Sequence, residues 1–388
     1  MNTILRNEVV APPIVDFRQR AASIAVEVDT RYDMSQAVPN VPTPVRLRKR
    51  LAEVLIAEPA ASFYTDVPGL ASLRSRIAGT HPLGSSFNGD HVVITAGANH
   101  AMFTSFLLHF QAGDRVVLLE PYYFNYDMGL RMLGMSPGYC CLSEQAGFAL
   151  NAAELIAFLE REAARGVVVI TPNNPTGASY SSRELLKLLQ WTSPRSVEVI
   201  LDETYARYDE RHLDKPEIGA FIGRGLTLVG SFSKTHSLTG YRVGYLVAGS
   251  AEIEQVLKVQ DTAIICAPHV SQLAALFGME DCQAELAEQL NKTAELGRMF
   301  RAGTSGLRAF SLVSCGAFFA YVRHPHASMT CEEATLELYR HTGILGLPGT
   351  VFGRSQASFI RLAFCNLLPD ELETAIGAML EYDRALST

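Results

Sequence analysis

The sequence predicts an α/β protein with a mostly parallel sheet, joined to a smaller α+β unit. Short runs rich in valine and isoleucine recur between segments of helical spacing, and these runs lack strict apolar–polar alternation. Strands look this way when helices cover both faces of a parallel sheet. Strands that alternate with helices imply an α/β sheet. Past Val270 the pattern changes to long helical stretches with few strand-like runs, which marks a second unit. A chain of 388 residues also exceeds what one hydrophobic core usually serves.

In chain order, the Pro-rich stretch VPNVPTP (38–44) sets an N-terminal segment apart from the first strong helical pattern and lets that segment join the small unit. The strand runs follow: HVVIT (91–95), RVVLLE (115–120), GVVVIT (166–171), VEVILDE (197–203), LTLVGSFS (226–233) and GYLVAG (244–249). Between them lie helical patterns at 101–110, 152–162 and 182–189. The second unit begins with helical stretches at 272–277 and 284–302. It continues through the run AFFAYV (317–322), a helix from Cys331 and the run SFIRLAF (358–364). Residues 46–284 are therefore expected to form a large domain, and 1–45 with 285–388 a small one.

Composition excludes several classes. With 48% hydrophobic and 19% charged residues the chain has ample material for a packed interior. A formal net charge of −7 offers no basic footprint for nucleic acid. The seven cysteines are scattered, with one adjacent pair and no CxxC, which suits free thiols in a reducing compartment. Charged residues interrupt the first stretch where a signal peptide needs an apolar core, and no apolar run approaches a membrane span. The expectation is a cytoplasmic protein.

Polar clusters gather where the strand runs end, which is where an α/β sheet binds ligands. A lysine after an apolar strand is ordinarily a solvated charge at a helix end. Lys234, however, follows Ser231-Phe232-Ser233 and precedes Gly240-Tyr241-Arg242. An amine beside hydroxyls and a guanidinium suits a phosphorylated aldehyde: the amine forms an imine, while Ser231 and Arg242 take the phosphate. Gly97, Ala98 and Asn99, at a helix start, offer backbone N–H groups to the same dianion, although such a turn is common without a ligand. Asp202 ends a strand and is either a cap or the partner of a pyridine nitrogen. Asn174 is either an Asx turn before Pro175 or, with Tyr205, a donor to a ring oxygen. Tyr123 is either core or a platform for a ring.

These residues sit in motifs that resemble the class I/II aminotransferase family of fold-type I pyridoxal-phosphate enzymes. The pieces stand in family order: SQAVPNVPTP (35–44), YTDVPGLASLRSRIA (64–78), TAGANHA (95–101), EPYYFNY (120–126), NNPTG (173–177), DETY (202–205), SFSKTHSLTGYRVG (231–244) and FIRLAF (359–364). The resemblance implies a large domain with a mostly parallel seven-stranded sheet and pyridoxal 5'-phosphate as cofactor. It makes Lys234 the imine lysine and the base that moves a proton between the substrate Cα and the cofactor C4′. Asp202 would pair with the pyridine nitrogen, and Tyr205 and Asn174 with the ring oxygen. Ala98, Asn99, Ser231, Ser233 and Arg242 would surround the phosphate. Tyr64 would reach the phosphate of a neighbouring subunit, which implies a homodimer with shared sites. Arg361 would grip the substrate carboxylate, helped by the backbone at Ala37 and by Asn174.

The sequence departs from the family pattern in places. Ala37 stands where the family usually has glycine. His236 replaces an aromatic or small residue and gains no role from that. The segment CAPHVSQ (266–272), expected to border the pocket, holds His269 but no arginine, which argues against a dicarboxylate substrate. The leading expectation is amino transfer from an L-amino acid with a non-acidic side chain to a 2-oxo acid. The alternative is another carbanion reaction at the same cofactor, such as an elimination, cyclisation or oxidation. A regulator's sensor domain ranks far behind, because it would need a DNA-binding domain ahead of residue 35.

Overall fold

The computed structural model of the protein describes residues 3–209 and 215–387. Near the N-terminus lies β1 (Tyr32–Asp33), ahead of the main sheet. The seven strands of that sheet are β2 (Val92–Thr95), β3 (Arg115–Glu120), β4 (Ser136–Cys141), β5 (Gly166–Ile170), β6 (Glu198–Asp202), β7 (Leu226–Ser231) and β8 (Gly244–Val247). Their spatial order is β2-β8-β7-β6-β5-β3-β4. All neighbours run parallel except β8, which is antiparallel to both β2 and β7.

The missing alternation in the valine-rich runs has a direct cause. Successive side chains of a strand point to opposite faces, and both faces here are buried. Val167 and Val169 of β5 enter one hydrophobic core, while Val168 and Ile170 enter the other. That second core continues past the sheet to Phe319, Ile360 and Leu372, so it also packs the C-terminal unit.

β4 was not anticipated. It carries Pro137 and Gly138, residues that weaken a strand reading, and it lies at the sheet edge, where proline is tolerated.

The C-terminal unit holds β9 (Ser311–Gly316), β10 (Phe319–Arg323), β11 (Ile344–Leu345), β12 (Leu347–Pro348) and β13 (Phe359–Leu362). Four of these form an antiparallel sheet in the order β12-β13-β10-β9. β9 was also missed, because its SLVSCG sequence is only half buried and lacks a strong apolar run. β1 pairs with β11, and Ala363 N–H donates to Met34 O at 2.9 Å. The N-terminal segment therefore lies against the C-terminal unit, which places Ser35 to Val38 beside β13.

Several helices start with their backbone donors satisfied. Asn151, Ser181 and Thr330 each cap the helix that follows with a side-chain oxygen. Helix Ala98–His109 differs: it begins at Gly97 with no side-chain cap. Its first N–H groups remain available to something else.

Candidate active site

Strands β5, β6 and β7 run parallel and end side by side, at Ile170, Asp202 and Ser231. A cavity of about 370 Å³ lies beyond these ends. That size is within the ordinary range of small-molecule sites, about 300–1,000 Å³.

The run LTLVGSFS stops being a strand at Ser231, and this break turns Lys234 into the cavity. Ser233 N–H donates to Ser231 Oγ at 3.1 Å. The Lys234 carbonyl accepts from Tyr208 Oη at 2.9 Å and Gln289 Nε2 at 2.7 Å, so the lysine backbone is held from both sides. Its amine donates to the Ala37 carbonyl. The residue keeps some surface toward the cavity, but its ammonium lies deep among protein atoms. That burial pulls the lysine from 10.5 down to about 8, against a smaller opposing effect of Cys365.

Asp202 closes β6 and is 4% exposed. Its Oδ2 accepts from Tyr126 Oη at 2.7 Å and its Oδ1 from Thr204 N–H at 2.8 Å. Burial pushes the carboxyl upward, while these donors hold it down. Tyr205 packs edge-on against Phe318 and Phe319, with centroids 5.5 and 5.2 Å away. In the NNPTG turn, Asn173 Oδ1 accepts from Thr176 N–H and Oγ1 at 3.2 and 2.9 Å. This holds the turn and leaves the Asn174 side chain to face the cavity.

At the other wall, β13 presents Arg361, which is 1% exposed. One terminal nitrogen donates to Asn174 Oδ1 at 3.1 Å and the other to the Ser35 carbonyl. The rings of Phe319 and Phe352 lie 5.1 and 5.0 Å from the guanidinium carbon. Among the described residues no carboxylate pairs with this arginine, and its Nε has no partner. A buried cation without an anion is costly. Desolvation lowers Arg361 to about 10, an unusual value for a guanidinium.

The third wall is the uncapped helix start. Gly97 has φ +84°, and a Cβ there would come within 2.6 Å of an Arg242 terminal nitrogen. The glycine thus lets the guanidinium lie flat against the turn. Ala98, Asn99, Ser231, Ser233 and Arg242 line this end of the cavity. Free N–H groups, three polar side chains and a guanidinium together form an anion cradle.

The cavity therefore collects Ala37, Ala98, Asn99, Tyr123, Asn174, Asp202, Tyr205, Ser231, Ser233, Lys234, Arg242 and Arg361, with Gly97 just behind. Tyr64 is not among them: it is 75% exposed on the surface. No residue of 266–272 lines the cavity either, and His269 instead lies against the Phe63 carbonyl at 3.2 Å. Sequence reasoning missed Tyr126, the hydroxyl partner of Asp202, although it lies within the quoted motif EPYYFNY. It also missed Ile14 and Thr204, which line the cavity. Tyr126 lies in the first turn of helix Phe124–Met132, three residues after its N-cap Tyr123, and its place in that motif was the available signal.

The residues fit pyridoxal phosphate: a depressed lysine, a buried carboxylate at the strand ends, and an anion cradle at an uncapped helix start share one cavity. The separate, unpaired guanidinium fits a substrate carboxylate.

Comparison with known proteins points to aminotransferases. The chain is 27% identical to an aspartate aminotransferase of Sulfurisphaera tokodaii over 409 aligned positions, covering 97% of this chain and all of the relative. It is 27% identical to arginine–pyruvate transaminase AruH of Pseudomonas aeruginosa, covering 89% of this chain and 88% of the relative. The solved structure of an aminotransferase from Mycobacterium tuberculosis superposes with a TM-score of 0.87 at 26% identity, over 98% of both chains. Residues 32–379 match the family described as aminotransferase class I and II, and the chain belongs to that family.

Proposed function

We propose that the protein is a pyridoxal-phosphate-dependent aminotransferase. It takes an amino group from an L-amino acid with a non-acidic side chain and passes it to a 2-oxo acid. The observation that carries this reading is the pairing of Lys234 with Arg361 across one cavity: an amine with a lowered pKa facing a buried guanidinium that has no carboxylate.

Lys234 would hold the cofactor through its amine. With its pKa near 8, roughly a tenth of the amine is neutral at pH 7, against fewer than about one in a thousand at the ordinary value. Only the neutral amine attacks a carbonyl or accepts a proton. When bound, pyridoxal phosphate supplies an electron sink for negative charge developing at the substrate Cα. Asp202, oriented by Tyr126 and Thr204, would pair with the cofactor's ring nitrogen and favour its protonated form. Tyr205 and Asn174 would donate to its ring oxygen. The backbone at Ala98 and Asn99, with Ser231, Ser233 and Arg242, would hold the phosphate, and Tyr123 would pack against the ring. Arg361 would bind the substrate carboxylate and so aim the Cα hydrogen at the Lys234 amine, which would serve as the base that carries that proton.

The substrate class follows from what remains. Among the described residues, the guanidinium groups lining the cavity are Arg242 and Arg361, and both already have anions to bind. Ile14, Val38 and Ile170 supply apolar lining. A side-chain carboxylate would find no cationic partner among the described residues and would be buried at a cost. The two relatives named above act on aspartate and arginine by name, so names alone do not choose the donor. We also read residues 46–284 as the large domain, 1–45 with 285–388 as the small one, and the protein as a cytoplasmic homodimer in which Tyr64 serves the partner's phosphate site.

The test is a panel of amino acids given to the holoenzyme without acceptor, with mass analysis of the released cofactor. Neutral and aromatic donors should convert the cofactor to its amine form, and a 2-oxo acid should restore the aldehyde. Aspartate or glutamate outperforming every neutral donor in kcat/KM would reject the side-chain assignment. Ammonia or an altered carbon skeleton, with no amine form from any donor, would reject amino transfer in favour of elimination or cyclisation.

A further inference from the structure

At the opposite end of the strands from the active-site cavity, His109, Glu198 and Glu252 come together. His109 ends the helix Ala98–His109, Glu198 opens β6, and Glu252 lies in the first turn of helix Ser250–Ile264. One nitrogen or oxygen from each lies within 4.8 Å of the other two. His109 Nε2 and Glu198 Oε1 are 3.4 Å apart. Two donors on a tetrahedral zinc, each at about 2.1 Å, sit about 3.4 Å from one another. The Thr227 hydroxyl bridges the pair, 2.8 Å from His109 Nε2 and 2.9 Å from Glu198 Oε1. Glu252 Oε2 accepts from Gly249 N–H at 2.7 Å, and its other oxygen takes no hydrogen bond among the described residues.

The charge balance is unusual. Glu198 is 9% exposed, and no lysine or arginine pairs with either glutamate among the described residues. Arg165 and Arg224 line the adjoining cavity of about 650 Å³ but are exposed, so solvent screens them. Two carboxylates and an imidazole without a cation make a donor set for a borderline divalent metal, not for calcium or magnesium, which favour all-oxygen shells.

We propose that His109, Glu198 and Glu252 bind one divalent cation of the zinc type. The site is independent of the activity assigned above. The ion would tie together three elements, two of which reach the active site: β6 ends in Asp202, roughly 13 Å away along the strand, and the histidine's helix starts at the anion cradle. Its role is to stabilise the scaffold, and it stands outside the chemistry.

The experiment titrates Zn2+ calorimetrically into holoenzyme first stripped of metal with a chelator, and follows Tm in parallel. One saturable ion per chain is expected, with a rise in Tm. Glu252→Gln should weaken binding by about tenfold or more and abolish the rise. Glu252 is half-buried, and the amide oxygen can still accept from Gly249, so the variant should fold; the absorbance of its bound cofactor checks this. His109→Gln should lose the same ion. Absence of saturable binding by the parent overturns the proposal. So does equal affinity in parent and Glu252→Gln, as expected if the exposed thiol of Cys141 binds the zinc.

Discussion

Asp202 depends on its neighbours. A carboxyl this deeply buried tends toward its neutral form, and Tyr126 and Thr204 work against that tendency by donating to it. A protonated ring nitrogen opposite would complete the balance. Asp202→Asn removes the charge but keeps the shape, and it should lower kcat by about 10²-fold or more while the cofactor stays bound. Tyr126→Phe removes one donor to a charged group, worth roughly 1.5–3 kcal/mol, and should give a smaller loss of about tenfold. Single-turnover rates of the two variants check the order; an unchanged rate in Asp202→Asn would remove it as the ring partner. Asp202 was legible because it closes an apolar run beside other polar clusters. Tyr126 was not, because a tyrosine at helical spacing in an apolar context reads as core. Only the fold brings it to a partner 76 residues away.

At the scale of elements, the site is built from strand ends and one uncapped helix. The strand runs could be read because both of their faces are apolar, and their carboxyl ends announced where polar groups would meet. β4 and β9 could not be read, since proline, glycine and serine suit edge positions that carry little apolar signal. Register was equally hidden: nothing local to β13 tells that Arg361 pairs with Tyr321 and Leu347 and so faces Asn174. The helix start at Gly97 offers a test at this scale. Gly97→Ala sets a Cβ where the Arg242 guanidinium lies and forces a residue with φ +84° into the left-handed half of backbone space. Strain of this kind costs about 1–3 kcal/mol, and the displaced guanidinium no longer faces the cradle. The variant should release its cofactor faster than the parent on dialysis against phosphate, with KM for the amino donor nearly unchanged. Equal retention would show that Arg242 and the helix start do not hold the phosphate together.

For the whole molecule the informative residue is Tyr64. The cavity already collects twelve of the expected side chains from both units of one chain, yet Tyr64 stands 75% exposed beside Phe63 at 70%. Adjacent exposed aromatics are the kind of surface that meets another chain, and closed two-fold pairing is the commonest way for identical chains to meet. If Tyr64 completes the phosphate site of a partner, every active site draws Lys234 from one subunit and Tyr64 from the other. This arrangement makes a prediction that a self-contained site does not. Lys234→Ala alone should lack multiple turnover, and Tyr64→Ala alone should be impaired through weak cofactor binding. When the two variants are unfolded together and refolded as a mixture, half of the dimers should be hybrids, and each hybrid has one site with both lesions and one with neither. The mixture should then recover about a quarter of parental activity at limiting cofactor, well above the mean of the separate variants. If each chain builds its site alone, mixing can yield only that mean, because every Lys234→Ala site stays dead and every Tyr64→Ala site stays weak. Activity that does not exceed the mean, in a mixture shown by mass to contain hybrids, would confine the active site to one chain and leave the exposed pair at 63–64 with another role.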